Sequence, residues 1–265
     1  MKTFLMCEPR YFEVSYVINP WMAENIGQVN KALAMMQWGH LYDTLAQKSA
    51  IKLVEPVAGL PDMVFTANAG LVGNQREVII SSFRHAERQG ESQHFKKFFA
   101  DAGYQIKPLA SNIIFEGAGD ALFDAHGELW FGSGSRSDVA AITEITGALD
   151  VKINALKLLD PRWYHLDTAF CPLPDGYAIA YKKAFSAEGV TEIQHKLGNK
   201  VIWVSDEDAN NFACNAICMD HEIILYLASE ELKNTLRQYN FHVIEIDVSE
   251  FLKSGGSCKC MTLEI

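Results

Sequence analysis

Four stretches of this chain repeat one pattern: a cluster of polar and small residues, an apolar strand, a turn, and a second apolar strand. They are FTANAGLVGNQREVIISSF from Phe65, FEGAGDALFDAHGELWFGS from Phe115, HLDTAFCPLPDGYAIAY from His165 and NFACNAICMDHEIILYLA from Asn211. Aligned on Ala69, Ala121, Ala169 and Ala216, the copies recur about every 47–52 residues, the length of a supersecondary unit. A shorter fifth copy, SCKCMTLEI, closes the chain. The turn dipeptides Gly73-Asn74, His126-Gly127, Asp175-Gly176 and Asp220-His221 suit hairpins, because Gly, Asn and Asp tolerate the left-handed backbone that tight turns need.

Helical patterns separate the hairpins. Asn19-Pro20 reads as an N-cap followed by proline at the first helical position, with Ile26, Val29, Leu33, Met36 and Leu41 on one face behind it. Phe95, Phe98, Phe99 and Ala102 make a second apolar face. Ser229 to Leu236 opens a third helix with Glu230 and Glu231 in its first turn. Short strands, VIWVS and HVIEI, return after some helices. A unit of hairpin, helix and strand repeated about five times predicts a closed ring of α/β modules: a five-bladed pseudosymmetric α/β propeller forming one domain over residues 1–265. The alternative is an open α/β sheet with accidental self-similarity. With 49% hydrophobic residues, the chain can bury such a core.

In a ring, the starts of all hairpins face one axis, so residues distant in sequence meet there. Those starts carry polar residues among small ones: Asp62 and Asn68; Glu116 and Asp120 framed by Gly117 and Gly119; His165 and Asp167; Asn211 and Asn215; and Cys260 after Gly255-Gly256. A thiol, an imidazole and several carboxylates suit a nucleophile, an acid/base and a cation-binding set. Taken singly, each has a plainer reading. A lone Cys is usually a small buried hydrophobe, and Glu116 and Asp120 could be turn residues. Their shared repeat position argues for function. His126 and His221, at hairpin turns, are expected to be solvated.

A formal net charge of −10 argues against nucleic-acid binding. The N-terminus is not expected to be a signal peptide, and no apolar run approaches the ~20 residues that span a bilayer. Neither a nucleic-acid nor a membrane partner is expected. Six cysteines without a secretion signal suggest reduced thiols and a cytoplasmic protein. Cys214-x3-Cys218 and Cys258-x-Cys260 do not match paired zinc knuckles, so no metal is expected; Cys218 reads as core. A Cys258–Cys260 disulfide would be strained. No phosphate-binding glycine motif is present, and no cofactor is expected.

The motifs LPDMVFTANAGLV, FEGAGDALFD, HLDTAF and GGSCKCMT together resemble the amidinotransferase/arginine deiminase/dimethylarginine dimethylaminohydrolase superfamily, in order and along the whole chain. Its fold is a five-bladed α/β propeller, the pentein fold. YVINPWM, RHAERQGE and NFACNA add a likeness to the arginine dihydrolase domain of cyanobacterial arginine-degrading enzymes, which often carry a second domain. The resemblance implies Cys260 as nucleophile, His165 as acid/base and Glu116 as the carboxylate beside it. It implies Asp62 and Asp167 as guanidino-binding carboxylates; Asp120, by its repeat position, is expected in the same substrate-binding set. Arg88 and Arg136 would hold the α-carboxylate of an arginine-like substrate, and Asn19 would line the entrance unless it only caps a helix. His165-Leu166-Asp167 follows deiminases and dihydrolases. Asn68 stands where deiminases and dimethylarginine hydrolases commonly carry aspartate, which is the dihydrolase pattern.

The expected activity is therefore hydrolysis of arginine to ornithine, ammonia and carbon dioxide through a covalent Cys260 intermediate. The alternatives are a dimethylarginine dimethylaminohydrolase, a deiminase or an amidinotransferase; a non-catalytic binding propeller would not need the Cys/His/Glu set. The expected partner is a small guanidino molecule. A homo-oligomer stays open.

Overall fold

The structure, a computed structural model, describes residues 1–265. Its fifteen strands form five three-stranded sheets. Four sheets follow one plan, in which an antiparallel hairpin leads into a helix and a third strand returns parallel to the second. They are β3 (Gly70–Val72), β4 (Glu77–Ile80) and β5 (Gln105–Lys107); β6 (Ala121–Phe123), β7 (Leu129–Ser133) and β8 (Ile153–Lys157); β9 (Phe170–Pro172), β10 (Ala178–Ala180) and β11 (Val201–Trp203); and β12 (Ile217–Met219), β13 (Glu222–Leu225) and β14 (His242–Glu245). The fifth sheet joins the two chain ends. β15 (Leu263–Glu264) pairs antiparallel with β1 (Thr3–Cys7), which pairs parallel with β2 (Ala50–Val54). SCKCMTLEI is thus the first strand of a blade whose second strand lies at the other end of the chain. The expected five-bladed α/β propeller is the fold.

The crossover helices pack against the sheets, and helix Ala187–Leu197 lies against β8 of the preceding blade as well as its own β11. Phe95 and Phe99 of helix Glu91–Asp101 are fully buried, as the periodicity predicts. Ser229 caps helix Glu230–Gln238 through Leu232 N. The N-terminal helix differs from expectation. Asn19 caps only a three-residue turn, Pro20–Met22, and the long helix begins at Lys31 behind a second cap, Asn30. Between them Gly27, at φ 70°, turns the chain out of the helical path. The buried face is Ala34, Trp38, Leu41 and Leu45, while Ile26 and Met36 are half exposed.

The hairpin starts are short helical turns around the axis: Thr66–Ala69, Gly117–Gly119 and Leu166–Thr168, with the turns at 212–215 and 258–261 completing the set. Hydrogen bonds link each turn to the next. Asn68 Nδ2 donates to Glu116 O (2.9 Å), Leu166 N to Asp120 Oδ1 (3.0 Å) and Asn215 Nδ2 to Asp167 O (3.1 Å). Cys260 N donates to Asn215 Oδ1 (3.0 Å), and Ala67 N to Cys260 O (3.0 Å) closes the circle. The polar residues at these starts therefore satisfy backbone groups that burial would otherwise leave unpaired.

Candidate active site

All ten residues singled out from the sequence are buried, none more than 7% exposed, and they gather at the hairpin-start end of the axis. His165 Nε2 lies 2.7 Å from Glu116 Oε2. Glu116 also accepts from Arg136 Nη1 (3.0 Å) and Arg84 N (3.1 Å). Burial pushes the Glu116 carboxyl up, but Arg136 and the His165 contact outweigh it and hold it well below the usual carboxylate range. His165 is lowered to about 4 by burial, so near neutrality the pair is an imidazole donating to a carboxylate. Asp120 accepts from Ser137 Oγ (2.6 Å) and sits 4.0 Å from His165 Nε2; burial raises it well above an ordinary aspartate.

Across the axis, Cys260 Sγ lies 3.6 Å from Asp167 Oδ2 and accepts from Asn215 Nδ2 at 3.1 Å. Burial, and then the Asp167 charge, push the thiol well above its usual value, and burial raises Asp167 to about 6. Cys258 and Cys260 lie in a turn, not a strand. Both border the apolar cluster around Phe4, Phe12 and Val64, but only Cys260 makes the contacts to Asn215 and Asp167. Cys218 is half-buried rather than core, and all six cysteines are free.

Asp62 accepts from Tyr16 OH (2.9 Å), with Arg88 Nε at 3.9 Å. Arg88 forms a fork with Glu91, Nε to Oε1 at 2.8 Å and Nη2 to Oε2 at 2.9 Å, under the Phe83 ring. Its Nη1 donates to Asn68 Oδ1 (3.0 Å) and its Nη2 to Asp62 O (3.2 Å). Four of the five guanidinium hydrogens are thus engaged within the protein. Arg136 is freer: beyond Glu116 it donates only to Ile18 O (3.0 Å), and it stacks over Tyr164. Asn19 acts as both a cap and a tether. Its Oδ1 accepts from Trp21 N (3.0 Å) and its Nδ2 donates to Ser254 O (3.0 Å). Segment 16–19 therefore lies against the site. Gly255, at φ 78°, allows this, because a side chain there would meet Trp21, Asn19 and Tyr164.

Sequence reasoning placed Asn215 at the axis without a role, and missed Tyr16, Tyr164, Ser137 and Glu91. The repeat position was the signal for Asn215, and Tyr16 and Glu91 lie in the YVINPWM and RHAERQGE motifs; Tyr164 and Ser137 show none. A cavity of about 720 Å³ opens at the opposite, hairpin-tip end of the axis. Of the ten residues only Asp167 lines it, so the converging polar groups, not this hollow, mark the site.

A five-bladed α/β ring with a thiol, an imidazole and carboxylates about its axis is the build of hydrolases that cleave C–N bonds of guanidino groups. The chain belongs to the dimethylarginine dimethylaminohydrolase family, whose profile, described as N,N dimethylarginine dimethylhydrolase, eukaryotic, matches residues 9–265. It is 46% identical, over 98% of its length, to the bifunctional arginine dihydrolase/ornithine cyclodeaminase ArgZ of Synechocystis sp., and covers 37% of that protein. The chain thus spans about a third of the length of its cyanobacterial relative. It is 37% identical over its full length to the N(G),N(G)-dimethylarginine dimethylaminohydrolase of Mycobacterium tuberculosis, covering 86% of it. The crystal structure of the N-terminal domain of ArgZ, a cysteine-to-serine mutant bound to substrate, superposes with a TM-score of 0.98 at 45% identity. That match covers 100% of this chain and 98% of the other.

Proposed function

We propose that this chain is an arginine dihydrolase, converting arginine and two waters to ornithine, carbon dioxide and two ammonia molecules. The observation that carries the reading is Asn68 beside the Glu116–His165 pair, in a chain so similar to the cyanobacterial dihydrolase domain. Asp62, Glu116 and Asp167 hold the planar guanidinium by charge-assisted hydrogen bonds, offsetting the cost of burying its charge. Arg136, with spare N–H groups, and the one free N–H of Arg88 take the α-carboxylate.

The Cys260 thiol proton passes to His165 as the sulfur attacks the guanidino carbon, and the imidazolium so formed protonates the nitrogen that leaves as ammonia. Water then adds with His165 as base, the C–S bond breaks, and bound citrulline forms. A second attack on the ureido carbon expels the second ammonia and leaves a thiocarbamate on Cys260. Hydrolysis frees the thiol and a carbamate, which loses carbon dioxide to give ornithine. The amide of Asn68 offers a hydrogen to the neutral ureido oxygen, where aspartate would oppose acceptor to acceptor.

The test is incubation with arginine followed by separation of ornithine, citrulline and ammonia. Wild type should release ornithine with two ammonia molecules per turnover. Asn68→Asp should shift product toward citrulline, because a mismatched buried pair costs about 1–3 kcal/mol and falls on the second hydrolysis. Citrulline as the sole wild-type product would leave a deiminase; dimethylamine from dimethylarginine with no action on arginine would leave the dimethylarginine hydrolase.

A further inference from the structure

The orientation of the Asn68 amide is dictated by its neighbours. Arg88 can only donate, so the Asn68 atom 3.0 Å from Nη1 is the oxygen. The Glu116 carbonyl can only accept, so the atom 2.9 Å from it is the nitrogen. Asn68 Nδ2 keeps one hydrogen with no protein acceptor. It lies next to the imidazole: a Cβ on Gly119 would collide with Asn68 Nδ2 and sit 3.4 Å from His165 Cγ and Nδ1. The amide can turn round only if Arg88 moves. Arg88 is fixed by Glu91, fully buried at the start of helix Glu91–Asp101, through a two-pronged contact of 2.8 and 2.9 Å. A bidentate fork constrains the guanidinium plane as well as its position. The ring of Phe83 closes the other side at 4.6 Å.

We propose that Glu91, through Arg88, is the positioning residue that keeps the Asn68 nitrogen directed into the site, and so sets how much bound citrulline goes on to ornithine. This rests on the dihydrolase reading above. Glu91 touches no reacting atom. It acts by holding the Arg88 donor in place, so that a flipped amide would set its nitrogen against Arg88 Nη1 as well as its oxygen against Glu116 O. Glu91→Gln removes the charge and one acceptor of the fork with little change of shape. Arg88 then gains freedom, and the amide can turn an acceptor toward the ureido oxygen.

The experiment compares wild type, Glu91→Gln and Glu91→Asp for the ornithine-to-citrulline ratio, the rate of arginine consumption and KM, with a thermal melt for each protein. The expected result for Glu91→Gln is a ratio at least about tenfold lower, a loss of about 1.4 kcal/mol of discrimination, with arginine consumption changed far less. Glu91→Asp keeps the charge but draws it back, and should lower the ratio about threefold. If Glu91→Gln does not fold, Glu91→Asp decides by the same ratio. An unchanged ratio overturns the role of Glu91, whether activity falls uniformly, as a purely structural effect would give, or KM alone rises, as a mere α-carboxylate clamp at Arg88 would give. Wild type that yields only citrulline overturns the dihydrolase reading and this inference with it. Wild type that yields ornithine while the variants keep its ratio overturns the inference alone.

Discussion

At Cys260 two forces push the same way. Burial disfavours a charged sulfur, and Asp167 at 3.6 Å disfavours a second negative charge beside it, so the thiol stands well above the ordinary 9. His165, lowered to about 4, supplies no imidazolium near neutrality. The ligand-free site therefore holds a thiol, and under the proposed function a guanidinium bound among the carboxylates would favour the thiolate. A raised pKa means less thiolate at every pH below it. Alkylation of the free protein by iodoacetamide should accordingly keep rising with pH and show no plateau below about pH 9. Asp167→Asn removes the anion, moving the profile to lower pH and speeding alkylation while turnover is lost. Cys258→Ser should leave the profile unchanged, since burial raises that thiol to about 12. A plateau near neutrality in the free wild-type protein would mean a preformed thiolate.

Among elements, the segment around the Pro20–Met22 turn does more for the site than its length suggests. Tyr16 reaches Asp62, Ile18 O holds Arg136, and Asn19 binds both its own turn and Ser254 O. Asn19→Ala removes the cap and the tether together. The loss should cost about 1 kcal/mol of stability, the usual value of an N-cap. It should also raise KM for arginine several-fold with little change in kcat, because Tyr16 and Ile18 would hold Asp62 and Arg136 less firmly. Steady-state kinetics and urea unfolding check both parts; a fall in kcat at constant KM would place Asn19 in the chemistry instead.

For the molecule as a whole, the ring closes where the chain ends meet, and two interactions compete to explain the closure. The Lys2–Glu264 ion pair, at 2.8 Å, is about half exposed on both sides. Such pairs contribute roughly 0–1 kcal/mol. Leu263, on the same strand, pairs with Leu5 and is buried in one apolar cluster with Cys7 and Val78. Removing a buried leucine side chain costs about 2–5 kcal/mol. Burial should decide. Leu263→Ala should lower the urea midpoint clearly, and lower activity too, because β15 follows directly on the turn bearing Cys260. Lys2→Ala should leave both nearly unchanged. Equal effects would mean that the ends are held electrostatically.

The ring itself was legible in the amino-acid sequence, because hairpin turns and strand alternation are local and the repeat writes them four times, with a fifth copy in part. The axial residues were legible for the same reason: polar side chains at equivalent hairpin starts stand out against small and apolar neighbours. The start of the N-terminal helix was not legible, because Asn19-Pro20 and Asn30 both suit a helix start and local pattern alone does not choose between caps. Partnerships across the axis were not legible at all. Asn215 meets Cys260, Glu91 reaches Asn68 through Arg88, and β1 takes β15, only once the ring has closed. Local propensity sets backbone shape within a few residues. Which buried donor faces which acceptor is decided by the packing of blades that sequence keeps far apart.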